Sequence, residues 1–120
     1  MATLTPTLTL TSSTTSTDEL SLSTTLDITV ANPIVDVARV SIATGSAQSV
    51  IASNSAFSYV YLKVISGANS TDWVQVLLGG DAKFKIRVGE FAFFPLYNAQ
   101  AITAEAQGGA CVVEYGYWSV

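Results

Sequence analysis

Histidine is absent from this chain of 120 residues, cysteine occurs once (Cys111), and charged residues make up only 12%. Most acid–base, nucleophilic and metal chemistry draws on His, Cys and clustered carboxylates. The carboxylates here are scattered: Asp72, Asp81, Glu90, Glu105 and Glu114 fall in separate strands and turns, at no calcium-loop spacing. A Ser or Thr nucleophile would have no histidine to act as its base. Gly79-Gly80 lacks the lysine and following helix of a phosphate loop. The expectation is a protein that is not an enzyme and uses no cofactor and no metal.

Further shortages bound the partners. With 5 Lys+Arg against 9 Asp+Glu, the net charge of −4 has the wrong sign for binding nucleic acid. No run approaches the roughly 18 apolar residues of a membrane span, so no membrane partner is expected. The opening Met1-Ala2-Thr3-Leu4-Thr5-Pro6 has neither the basic nor the apolar region of a signal peptide. A lone cysteine cannot form an internal disulfide, and in Cys111-Val112-Val113 it reads as a small buried hydrophobe. Asn69-Ser70-Thr71 matches a glycosylation acceptor but, without a secretory signal, reads as turn chemistry.

What is present is apolar: 49% of residues are hydrophobic, and Thr and Ser fill much of the rest. The polar surface must therefore be built from hydroxyls, amides and backbone, which cost less to desolvate than charges. Such a surface suits extensive contact with other proteins. It suits a plain soluble sandwich with Thr-rich strands as well.

Apolar and polar residues alternate with period two from end to end, the signature of strands. Residues 3–11 run Thr-Leu-Thr-Pro-Thr-Leu-Thr-Leu-Thr, and Pro6, which cannot donate to a ladder, makes this an edge strand or an extended arm. Residues 12–17 are a Ser/Thr break. The pattern resumes at Leu20-Ser21-Leu22, continues through Leu26 to Val30 and stops at Asn32-Pro33. Further strands are predicted over 37–43, 49–51, 57–65, 73–78, 83–88, 91–94, 101–106 and 111–118, separated by turn residues. Within 57–65, Tyr59, Tyr61 and Lys63 share one face and Val60, Leu62 and Val64 the other. At least two of Phe91, Phe93 and Phe94 are expected in the core.

About eight to ten short antiparallel strands without a helix-period stretch imply an all-β sandwich or barrel, a jelly-roll-like β-sandwich first among them. Residues 1–17 read as the N-terminal arm or edge strand, and residues 18–120 as a single sandwich domain. Alternation does not distinguish a jelly roll from other Greek-key sandwiches.

Two surface constellations stand out. Lys83, Lys85 and Arg87 lie at period two on one strand face, either to engage an acidic partner or as a solvated face that discourages edge-to-edge aggregation. Tyr59, Tyr61, Trp73 and Trp118 form either an aromatic platform for a sugar or a cross-strand packing ladder.

Several phrases carry a likeness to known proteins: the opening Met1-Ala2-Thr3-Leu4-Thr5-Pro6-Thr7-Leu8-Thr9-Leu10, the central Tyr59-Val60-Tyr61-Leu62-Lys63, the segment Gly89-Glu90-Phe91-Ala92-Phe93-Phe94-Pro95, and the closing Val113-Glu114-Tyr115-Gly116-Tyr117. In these the chain resembles small β-rich virion structural proteins of tailed bacteriophages, particularly of phages infecting cyanobacteria. The resemblance implies a head decoration (cement) protein, assembled into the virion in the host cytoplasm. It also implies binding to the outside of the major capsid protein and to copies of itself, with trimers common. The interface expected on this reading uses Leu4, Pro6, Leu8 and Leu10 of the arm, which would pair with a neighbouring subunit by strand addition, together with Lys83, Lys85 and Arg87. A tail-fibre receptor- or carbohydrate-binding module and a tail or neck adaptor are the alternatives.

Overall fold

The computed structural model describes residues 2–12, 20–31, 37–53, 57–96 and 100–120. Most of the break at 12–17 and the Asn32-Pro33 stop lie outside the described residues. Among those described there are twelve strands and no helix. Four short strands come first: β1 (Ala2–Leu4), β2 (Thr7–Thr11), β3 (Ser21–Thr25) and β4 (Ile28–Val30). Eight more follow: β5 (Ala38–Ile42), β6 (Gln48–Ile51), β7 (Phe57–Gly67), β8 (Trp73–Leu78), β9 (Asp81–Arg87), β10 (Phe91–Pro95), β11 (Ile102–Gln107) and β12 (Cys111–Ser119).

The last eight build a β-sandwich of two four-stranded sheets, in the orders β10-β7-β12-β5 and β6-β11-β8-β9, and every pairing within them is antiparallel. The connectivity is that of one long hairpin rolled up. Strands β5, β6, β7 and β8 pair in turn with β12, β11, β10 and β9. Rolling then brings β7 beside β12 and β8 beside β11. This is the strand order of a jelly roll. The tip of the hairpin is the tight turn between β8 and β9, where Leu78 pairs with Asp81 across Gly79 and Gly80. Both glycines have positive φ, 62° and 91°, as a type I′ turn requires at its two central residues.

The inward positions are the apolar half of each alternation. Val60, Leu62 and Val64 of β7, Val74 and Val76 of β8, and Ile102, Ala104 and Ala106 of β11 are all buried, with Ile42, Ile86, Cys111 and Val113 around them. Cys111 is a free thiol inside this core. Burial pushes that thiol above its usual range, and the nearby Asp72 carboxylate adds to the shift.

The four N-terminal strands form two small ladders. β1 pairs with β4 and β2 with β3, and the chain crosses from one ladder to the next at Pro6 and Leu26-Asp27. There Leu26 N–H donates to Pro6 O at 3.2 Å, and the Thr5 hydroxyl donates to Asp27 at 2.9 Å. The ladder of β1 and β4 is anchored to the sandwich: Ile28 and Val30 are buried, and Ala31 N–H donates to Ser119 O at 2.9 Å.

One expectation about the core is corrected. Of the three phenylalanines of β10, only Phe94 turns inward, where its ring meets Phe84 edge-on at 5.6 Å. Phe91 and Phe93 are exposed on the outer face. The reason is parity: residues two apart share a face of a strand, and the inner face here belongs to Ala92 and Phe94.

Candidate interaction surfaces

The ladder of β2 and β3 is a two-stranded ribbon with two chemically distinct faces. Leu10 sits directly opposite Leu22 and Leu8 opposite Thr24, so three leucines lie on one face. The other face pairs Thr7 with Thr25, Thr9 with Ser23 and Thr11 with Ser21, all hydroxyls, and the Thr7 and Thr25 hydroxyls meet at 3.2 Å. The open end is closed by Ser12, whose N–H donates to Leu20 O at 2.9 Å and whose Oγ accepts from Leu20 N–H at 2.7 Å. Leu8, Leu10 and Leu22 nevertheless remain between 41% and 45% exposed. A lone two-stranded hairpin is marginal in water unless its apolar face is covered.

Between the ribbon and the sandwich runs an apolar groove of about 600 Å³. One wall is Pro6, Leu8 and Leu26 with flanking threonines; the other is Phe84 of β9 and Phe91, Phe93 and Phe94 of β10. Both β9 and β10 end their sheets, so the groove follows the open side of the sandwich. Among the described residues, none that lines it is charged. Of the four arm residues expected at an interface, Leu4 and Pro6 are half-buried at the base of the ribbon, while Leu8 and Leu10 stand exposed on its leucine face. β1 and β2 pair with this chain's own β4 and β3.

Lys83, Lys85 and Arg87 do lie on one exposed face of β9, and each has a local partner. Lys83 Nζ is 4.0 Å from Asp81, Lys85 Nζ lies 4.9 Å from the centre of the Trp73 ring, and Arg87 is 3.3 Å from Glu90. Exposed pairs of this kind contribute little to stability, about 0–1 kcal/mol each. Asp81 and Glu90 offset part of the positive charge that the strand presents, while Lys85 keeps its charge beside the neutral Trp73 ring.

The aromatic set divides between the two sheets. Trp73 belongs to β8, whereas Tyr59, Tyr61 and Trp118 share the outer face of the other sheet. There Phe93 completes a cluster, stacked on Tyr59 at 5.8 Å with 10° between planes and tilted against Trp118 at 6.2 Å. Gly116 makes room for it: a Cβ at that position would stand 2.9 Å from the Trp118 ring. Beside the cluster the Glu114 carboxylate is held from two sides. Tyr61 donates its phenol hydrogen at 3.0 Å, and Arg39 donates from Nε at 3.3 Å. Sequence reasoning did not place Phe93 with this aromatic set and missed Gly116, although a glycine inside a strand pattern signals close approach of another group.

Burial, and then the hydrogen bond and charge of Glu114, hold the Tyr61 phenol above its ordinary value. A raised acid favours the protonated form in the folded state. Its contribution to stability is therefore complete below the unfolded value, about pH 10, and is lost as pH rises past it. Tyr61→Phe is expected to flatten the alkaline decline of the urea midpoint above about pH 10. An unchanged alkaline slope would show that Tyr61 titrates alike in both states.

Among the described residues, no three of His, Cys, Asp and Glu gather where they could hold a metal ion. The acceptor-like Asn69 sits in the turn before β8, with its N–H donating to the Asp72 carboxylate at 2.8 Å. Compared with protein family models, with characterised proteins and with solved structures, the chain matches none.

Proposed function

We propose that this chain is a non-catalytic structural protein of a phage virion, a decoration protein that binds the outside of the capsid shell and reinforces it. The observation that supports the reading best is a broad exposed apolar surface along one side of the sandwich, with a groove that no charged side chain lines among the described residues. The surface runs from Leu10 and Leu22 through Leu8 and Leu26 to Phe91 and Phe93. Exposed apolar patches of this extent mark interaction sites on folded proteins. Repetition in a closed shell strengthens such contacts, because each successive one is effectively intramolecular. The resemblance of the opening, central and closing segments to phage virion proteins points the same way. A jelly roll by itself does not, since one fold hosts many functions.

The test is co-sedimentation of the purified protein with empty phage heads. Binding should saturate at a fixed ratio to the major capsid protein. Because the surface is apolar, raising salt from low to about 0.5 M should hardly weaken it, whereas docking led by Lys83, Lys85 and Arg87 would weaken clearly. A protein that stays in the supernatant would end the proposal.

A second reading is carbohydrate binding, as in a receptor-binding tail module. The observation favouring it is the cluster of Tyr59, Phe93 and Trp118 on one sheet face, with the Glu114 carboxylate and Arg39 alongside as hydrogen-bonding groups. On this reading a glycan array should show a defined ligand whose binding is abolished by Trp118→Ala and unaffected by Trp73→Ala. A blank array would remove the reading.

A further inference from the structure

The ribbon and the groove are made for each other in different copies of the chain. We infer that a second copy of this protein seats the leucine face of its β2–β3 ribbon in the groove bounded by Phe91 and Phe93, closing a symmetric oligomer. The inference deepens the assembly reading above, on which it rests for its biological setting, by giving this surface to the contact between neighbouring copies in the shell. Its physical argument stands on three features of the molecule.

The first is surface area. A compact monomer of 12.6 kDa should expose about 6,200 Å², and this chain exposes 7163 Å². The chain thus carries more surface than a compact monomer of its mass, as one with an uncovered apolar side does. The radius of gyration agrees: it is 15.8 Å, against about 14 Å for a compact chain of this length.

The second is complementarity. The ribbon offers leucines and the groove offers phenylalanines, and among the described residues no charged side chain lines the groove. Leu8 belongs to both, lying on the leucine face and in the groove wall, so donor and acceptor surfaces join into one continuous patch. A patch that carries both halves of a contact is what closed association of identical subunits needs.

The third is the ribbon's own instability. With its hydroxyl face towards water and its leucine face bare, it lacks the covered side that a two-stranded hairpin requires. A neighbour's Phe91 and Phe93 supply that cover.

The test is the mass of the full chain in solution, measured by sedimentation equilibrium without phage heads. At about 50 μM, well above a micromolar dissociation constant, the protein should have a mass of two or more whole multiples of 12.6 kDa. The double substitution Leu10→Ser and Leu22→Ser removes the ribbon's contribution, and Phe91→Ser removes the groove's. All three residues are exposed, so each variant should melt like the parent at a dilution where both are monomeric, while associating at least about tenfold more weakly. The decisive arm mixes the two variants. One retains a sound groove and the other a sound ribbon, so the mixture should form one intact contact per mixed pair and associate more tightly than either variant alone, though less tightly than the parent. A monomeric parent protein, variants with undiminished mass, or a mixture that associates no more tightly than either variant alone would each overturn the inference. Association without head binding would instead refute the decoration role and leave this contact standing.

Discussion

Asp72→Ala is expected to lower the melting temperature by about 10 °C, corresponding to roughly 2–3 kcal/mol in a domain of this size. Asp72 is only 3% exposed and stands where three turns meet at one end of the sandwich. Its carboxylate accepts from Asn69 N–H at 2.8 Å, its own N–H donates to Asn69 O at 3.1 Å, and its carbonyl accepts from Val88 N–H at 3.2 Å. The β11–β12 turn packs directly on the side chain. A Cβ at Gly109 would lie 2.8 Å from Asp72 Oδ2, and one at Gly108, where φ is +92°, would lie 2.5 Å from Oδ1. Removing the carboxylate leaves Asn69 N–H without this partner and opens a gap beneath those glycines. Gly108→Ala should be comparably damaging by the opposite route, forcing a side chain into both an unfavourable φ and an occupied space. Thermal unfolding of the two variants checks both; a change of a degree or two for either would show that the turns do not depend on this packing.

Leu62→Ala should cost about 3 kcal/mol, within the usual 2–5 kcal/mol for a leucine truncated in a well-packed core. Leu62 is 1% exposed on β7, between Ala92 of β10 and Tyr115 of β12, with its side chain in the layer between the sheets. The surrounding strands are held in ladders on both sides, so the cavity can close only in part. The matched control is Leu22→Ala, an equal chemical change on the exposed ribbon face, expected within about 0.5 kcal/mol for the isolated subunit. Urea midpoints of the two variants should differ severalfold in their displacement. Equal displacements would mean that the sandwich core is not where the alternation places it.

These two leucines show how far the sequence could be read. Both occupy the apolar half of a strict alternation, Tyr-Val-Tyr-Leu-Lys-Val in one case and Leu-Ser-Leu in the other. Alternation shows that the two kinds of residue take opposite faces, because the strand period is two. It does not say whether a second layer covers the apolar face. For β7 a layer does, and for β3 none is supplied by this chain. The three phenylalanines of β10 are the same lesson in reverse: composition suggests burial, yet parity leaves Phe91 and Phe93 on the outer face.

The candidate surfaces were partly visible for the same reason. The pattern of Lys83, Lys85 and Arg87 placed them on one face of β9, because they are two apart. Their individual partners Asp81, Trp73 and Glu90 depend on a hairpin register that period alone does not specify. Leu8 and Leu10 could be picked out from the opening repeat. Their alignment with Leu22 needed the antiparallel pairing of β2 with β3.

Sequence by itself determined the material: an all-β body, little charge, hydroxyl-rich outward faces and an apolar inward stripe on each long strand. These are local properties, written in the spacing of neighbours. Only the tertiary structure decided that β5 to β8 roll against β12 to β9, that Phe93 joins Tyr59 and Trp118, and that a leucine-faced ribbon stands beside an apolar groove. Those features depend on contacts between residues far apart in the chain, and their free energies are summed over whole sheets rather than encoded at any one position.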